Sequence, residues 1–305
     1  MRAQADWSLA TVDVDGPVAC LEVGGALYRL APSLARAGNV RAATIMDLFA
    51  DWDRARVALD AAAEAVKTED LVPADAPRLA PLLYPGKVLC AGANYYDHLK
   101  EMGVPDVRKE AQRLFFFFKP ARNAVVGEGD TVHMPIGTKA FDWEIELAAV
   151  IGRRARNVTA DRALDHVAGY SIGIDFSARD HNRAPETFYK LDWVAGKAHD
   201  TCCPLGPRLV PASAIADPQN IGLKLSVNGA VKQDGRTTDM IFSLAEQIEI
   251  LSRIMTLDPG DVILTGTPAG VGAPKQTFLS VGDRVDAQIE GIGRLAVTIQ
   301  EPLDA

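Results

Sequence analysis

From Lys87 onward the chain is cut into short apolar runs, each closed by a turn former or a charge. They fall at residues 87–91, 145–152, 170–176, 222–227, 262–265 and 284–289. Runs this short have strand length and fall below the usual three turns of a globular helix. Asn228-Gly229, between LKLSV and AVKQ, predicts a hairpin, because a two-residue type I′ turn needs positive φ at both central positions. Helices are expected at 95–102, 161–166 and 243–255, the last with Ser243 as N-cap and a glutamate three residues on. Strands and helices do not alternate regularly enough for a doubly wound sheet or an α/β barrel. The expected class is therefore α+β, and β-rich.

The first eighty residues have a different texture. RARVALDAAAEAVK (54–67) has helical composition and spacing, after strand-like pieces at 18–23 and 26–30. LVPADAPRLAPLLYP (71–85) carries four prolines and reads as a linker. The division expected is 1–80, a small N-terminal α+β domain with linker, and 81–305, a larger domain. No internal repeat or low-complexity tract is visible.

At 305 residues, 48% hydrophobic and 24% charged, the chain can bury a full core without a metal or disulfide to staple it. Disorder and collagen-like repetition are excluded. Forty acidic residues against 32 basic ones give a net charge of -8. That balance offers no footprint for nucleic acid and no attraction to an anionic membrane. An anionic substrate must be met by a local positive site. The start, MRAQADWSLATVDVDG, has no apolar signal core, and the strongest apolar run, 114–118, ends at Lys119. Cys20, Cys90, Cys202 and Cys203 form no CxxC or zinc spacing, which fits a reducing, cytoplasmic setting.

FDWEIEL (141–147) is the sharpest local signal. In a strand, Glu144 and Glu146 share a face and would repel unless a cation or solvent lies between them. An exposed acidic edge fits the same spacing. Asp175 ends the apolar run YSIGID, either as a turn former or as a third carboxylate. Three together would make an all-oxygen site suited to Mg²⁺ or Mn²⁺, with Ca²⁺ as a further hard cation. In NYYDHLKE, His98 and Glu101 fall at i and i+3 on one helix face, so the carboxylate could orient the imidazole as a general base. A surface ion pair is the bland alternative. His133, His166, His181 and His199 have no ligand spacing. GTPAGVG (266–272) follows the run VILT but lacks the phosphate-loop lysine, leaving a tight loop whose Gly266 amide and Thr267 hydroxyl could cradle an anion. Lys197, taken alone, reads as a solvated lysine.

In order, GANYYDHLKE, FFFFKP, FDWEIELAAVIG, GIDFSARD, GKAHDTCCPLGP, VNG and GDVILTGTPAGVG resemble the fumarylacetoacetate hydrolase family over residues 87–299. The resemblance implies a catalytic domain of rolled mixed β-sheets behind a small α+β domain, assembled as a homodimer. It implies a divalent metal held by Glu144, Glu146 and Asp175, with His98 and Glu101 on a lid as the base. It maps Lys197 and Thr267 onto substrate- and oxyanion-binding positions, and Arg179 and Asn182 onto substrate contacts. Asn182 stands where the founding hydrolase has glutamine, and that enzyme's N-terminal aspartate ligand has no match here. The chain is similar to the shorter three-carboxylate branch, including mitochondrial members with a like GK…DT-x-CPLGP stretch.

The resemblance implies chemistry on 2-oxo acids and β-dicarbonyl compounds. The first reading is a metal-dependent hydrolase cleaving a C–C bond of acylpyruvates or related diketo acids. The second is a decarboxylase or keto–enol tautomerase of oxaloacetate-like acids on the same site. A third, a non-catalytic metabolite binder, has no use for a base over its ligand.

Overall fold

Alternation along the strand Ile145–Ile151 sets the layers of the molecule. Ile145, Leu147, Ala149 and Ile151 enter one core, and Ala148 and Val150 enter another on the opposite face. A strand covered on both faces reads as a continuous apolar run, which is what the sequence shows. The computed structural model that carries these layers describes residues 6–38 and 40–303.

The larger sheet has eleven strands. Its main path runs Ala26–Arg29, Pro17–Val23, Trp7–Asp13, Cys203–Pro211, Val167–Ile174, Ile145–Ile151, Val262–Leu264, Val88–Gly92 and Phe115–Lys119. Arg78–Leu79 and Val125–Val126 pair at its margins, and Val262–Leu264 runs parallel to Val88–Gly92 in an otherwise largely antiparallel array. A second sheet of five strands runs Ala230–Arg236, Gly222–Val227, Arg284–Ile289, Gly293–Gln300 and Thr131–His133. Leu223, Leu225, Val285, Ala287 and Leu295 face Ile172 and Leu147 across the core between the sheets. The other face of the large sheet is covered by the helices Leu30–Ala37 and Trp52–Glu64, through Leu34, Trp52 and Leu59. The architecture is mixed α+β and sheet-rich, as expected.

The Asn228-Gly229 turn forms, with φ of 50° and 79°. Ser243 caps the helix Leu244–Ile254 in a reciprocal box with Glu246, whose carboxylate also holds Lys109. Ser243→Ala should cost about 1 kcal/mol, read as a lower urea midpoint at unchanged slope. An unmoved midpoint would assign the helix start to the Lys109–Glu246 pair instead.

Two expectations about local structure differ from what forms, and one central strand was not anticipated. The proline-rich stretch holds the strand Arg78–Leu79, paired through Thr11↔Leu79 and Val12↔Arg78. Proline keeps its carbonyl, and Pro77 and Pro81 accept from the Asp13 amide and the Thr11 hydroxyl. The region 161–166 is one helical turn, Ala160–Ala163, tightening into a 3₁₀ turn, Leu164–His166. Cys203–Pro211 (CPLGPRLVP) is a central strand despite its prolines. Its ladder is correspondingly broken, with an irregularity between Tyr170 and Ile172 and a single register pair, Leu9↔Leu209, to the N-terminal strand. Among the described residues no helix is long and apolar enough to cross a membrane.

Candidate metal and substrate site

Glu144 and Glu146 leave the large sheet on the same face as Ala148 and Val150, one end of which the N-terminal helices cover. Glu144 lies just before the strand Ile145–Ile151, and its carbonyl accepts from the Asp175 amide at 2.8 Å. That bond closes the ladder between Ile145–Ile151 and Val167–Ile174, so Asp175 emerges beside the two glutamates. Gly173 stands directly across from Glu146; a Cβ there would meet Leu264 Cδ2 at 2.4 Å. One oxygen from each of Glu144, Glu146 and Asp175 falls within 4.8 Å of the others, and all three residues are buried. The alternatives of an acidic edge and a turn former are thereby corrected.

Lys197 is corrected as well. It ends the short helix Trp193–Lys197, is 5% exposed, and places Nζ 2.7 Å from both Glu144 Oε2 and Asp175 Oδ2. Arg179 donates from Nε to Asp142 Oδ2 at 2.9 Å and from Nη2 to Glu144 Oε1 at 2.5 Å. Lys119, fully buried, donates to the Phe176 and Lys197 carbonyls and lies 2.8 Å from Asp175 Oδ1. The angle of that ion pair leaves Oδ1 without an aligned hydrogen bond. Glu146 accepts from the Gly266 amide and has no ion-pair partner among the described residues.

The electrostatics follow from this placement. Burial pushes the Glu144 carboxyl up, but Arg179 and Lys197 outweigh it and hold it far below the usual range. For Glu146, burial and then the charges of Asp175 and Glu144 all act upward, well above that range. With all four buried carboxylates (Asp142, Glu144, Glu146, Asp175) ionised, they would outnumber the three cations (Lys119, Arg179, Lys197) by one negative charge, and Glu146 is the group left unpaired. A hard divalent ion fits this donor set. Around one ion with bonds of about 2.0–2.1 Å, ligand oxygens sit roughly 3 to 4 Å apart. The three oxygens, within 4.8 Å of one another, would close slightly on such an ion, with Lys197 giving up its place between Glu144 and Asp175. Glu146 would gain the counter-charge it lacks, and the charge excess would reverse to favour an anionic ligand.

His98 lies in the helix Tyr96–Glu101 and is 7% exposed, not a surface residue. Its Nδ1 is 2.9 Å from Glu101 Oε1, while Glu101 Oε2 accepts from the Gly270 amide at 2.8 Å. Asp97 accepts from the Ala269 amide, so the helix is stitched to the glycine loop. With Nδ1 directed at a carboxylate, Nε2 is the ring nitrogen open to a ligand. Gly266 adopts φ +96°, where a Cβ would meet Asn94 Cβ at 2.8 Å. Thr267 Oγ1 donates to the Ile145 carbonyl and accepts from Gln233, so its hydroxyl is already engaged. Asn182 spends its amide on the Asp192 carbonyl at 3.0 Å.

These residues line one cavity of about 290 Å³. His98, Glu144, Glu146, Arg179, Lys197 and Thr267 form its polar floor; Leu99, Met102, Phe115, Phe117, Leu191 and Trp193 form its wall. Asp142, Lys119, Gln233 and Asn94 support the floor and were not read from the sequence as site residues. Only Lys119 gave a signal, as a lysine closing the apolar run FFFF.

The family model for the fumarylacetoacetate (FAA) hydrolase C-terminal region matches residues 87–300. The mitochondrial oxaloacetate tautomerase FAHD2A of Bos taurus is 43% identical over 217 residues, 70% of this chain and 67% of that protein. The fumarylpyruvate hydrolase of Pseudomonas aeruginosa, solved with Mn²⁺ and pyruvate, is 35% identical with a TM-score of 0.63, over 70% of this chain and 89% of that one. The maleylpyruvate hydrolase of Sphingobium sp. SYK-6, solved with manganese(II) and pyruvate, is 28% identical with a TM-score of 0.75, over 97% and 100%.

Proposed function

The chain belongs to the fumarylacetoacetate hydrolase family of enzymes, and from that premise we propose that it hydrolyses a C–C bond of an acylpyruvate or related diketo acid. The observation that carries this reading is the His98–Glu101 pair, anchored to the glycine loop beside three buried carboxylates. Glu144, Glu146 and Asp175 hold the metal in this reading. Bound there, Mg²⁺ or Mn²⁺ supplies a Lewis acid that stabilises enolate charge on a 2-oxo acid.

The chain's own residues do the rest. Glu101 fixes the His98 tautomer, and Nε2 takes a proton from the water that attacks the distal carbonyl. Lys197 stabilises the resulting oxyanion, and Arg179 orients Glu144 while facing the substrate. The Gly266–Thr267 turn closes the floor and keeps Glu146 in place. All these residues lie after residue 80, and we assign 81–305 as the catalytic part and 1–80 as the N-terminal domain. A homodimer belongs to the same reading; sedimentation as a 32.7 kDa species would contradict it.

Tautomerisation or decarboxylation of an oxaloacetate-like acid is the second reading, favoured by the 43% identical tautomerase. It uses the same floor without an attacking water. A panel of acylpyruvates and oxaloacetate, with product identification, separates the two. In either case chelation should abolish turnover, and Mg²⁺ or Mn²⁺ should restore it. Full activity in verified metal-free protein would overturn the site.

A further inference from the structure

The cations of the cavity floor are committed to its carboxylates and, in the proposed reaction, to the 2-oxo acid head, which leaves none for a second carboxylate. Arg179 is shared between Asp142 and Glu144, Lys197 between Glu144 and Asp175, and Lys119 lies buried behind Asp175. One further cation lines the same cavity. Arg183 has no carboxylate within ion-pair distance among the described residues, and it is exposed while still lining the cavity.

The root of Arg183 is held even though its guanidinium makes no ion pair with any described residue. It follows the short helix Arg179–Asn182, its amide donates to the Asp180 carbonyl at 3.3 Å, and it bridges to Leu191 across the neck of a loop. That neck is tied again by Asp192 N to the Asn182 carbonyl at 2.9 Å and Asn182 Nδ2 to the Asp192 carbonyl at 3.0 Å. A fixed root reduces the ordering a ligand must impose. Between the floor and Arg183 the wall is apolar, with Leu99, Met102, Phe115, Leu191 and Trp193. Such a wall accepts a hydrocarbon stem and strips water from a carboxylate without replacing its hydrogen bonds.

We infer that Arg183 is the specificity-determining residue of this cavity. It selects 2-oxo acids that carry a second carboxylate at the far end of an apolar stem. The inference rests on the proposed function for the location of the 2-oxo acid head, and adds what recognises the other end.

Two six-carbon probes isolate the distal group. 2-Oxoadipate and 2-oxohexanoate share the head and chain length, differ only in the second carboxylate, and lack the second carbonyl that C–C hydrolysis requires. Titration calorimetry on the full chain with saturating Mn²⁺ should show 2-oxoadipate binding about 10-fold tighter, the size of a solvent-exposed charge-assisted contact. Arg183→Gln should bring that ratio near one, and Arg183→Lys should keep part of it, since an ammonium retains the charge but not the fork. Equal binding of both probes to the wild type overturns the inference. So does a ratio that survives Arg183→Gln. If neither probe binds, the placement of a 2-oxo acid head on the floor fails as well, and the proposed function with it.

Discussion

Hydrolytic kcat should fall by about 10²–10⁴ in His98→Ala, with metal and 2-oxo acid binding nearly unchanged, the usual contribution of a positioned general base. Glu101→Gln should fall comparably. Glutamine keeps one acceptor oxygen where Glu101 uses two, for His98 Nδ1 at 2.9 Å and the Gly270 amide at 2.8 Å, and it loses the charge that stabilises the imidazolium. The double variant should be little worse than either single one, because groups acting as a unit are not additive in their losses. Decarboxylation of oxaloacetate activates no water and should survive the same changes far better. The measurement is kcat for both reactions on all four proteins with saturating metal. If Glu101→Gln hydrolyses an acylpyruvate as well as the wild type does, the pair is a structural contact and the assignment of the base is wrong.

Glu146→Gln should move stability and activity in opposite directions. In metal-free protein it removes a buried carboxylate that has no ion-pair partner among the described residues and is crowded by Asp175 and Glu144, and the melting temperature should rise. The same change should remove most of the stabilisation that Mn²⁺ confers on the wild type. That stabilisation is about 2.7 kcal/mol at a free-metal concentration of roughly 100 times Kd. Turnover should fall by more than the roughly 10–100-fold that follows from disturbing a residue behind a metal ligand. Differential scanning calorimetry with chelator and with Mn²⁺, beside kcat, reads all three effects. A metal-free Glu146→Gln protein that melts lower than the wild type would mean that Glu146 holds the strand end through Gly266 rather than waiting for a cation.

The parts of the site legible in the sequence were those built on local periods. Glu144 and Glu146 share a face because side chains alternate along an extended chain, and the strand that follows keeps that alternation into two separate cores. His98 and Glu101 meet because a helix brings i and i+3 together. The capping box at Ser243 and the turn at Asn228-Gly229 are local in the same sense. The family resemblance supplied the roles of Lys197, Arg179 and Asn182, which composition and spacing alone did not single out.

Which lysine is buried could not be read from its neighbours along the chain. Lys197 reaches Glu144 across 53 positions, and Lys119 reaches the Phe176 carbonyl across 57. Asp142, taken by Arg179 and by the Gly272 and Ala273 amides, looks like any acidic residue ahead of a strand. The proline-rich Cys203–Pro211 became a central strand because its flanks, Trp7–Asp13 and Val167–Ile174, came to lie on either side of it. Short-range order follows from backbone geometry, which a few adjacent residues determine. The charge balance of a buried site depends on which strands pair, and pairing between distant segments is decided by the burial of both cores at once.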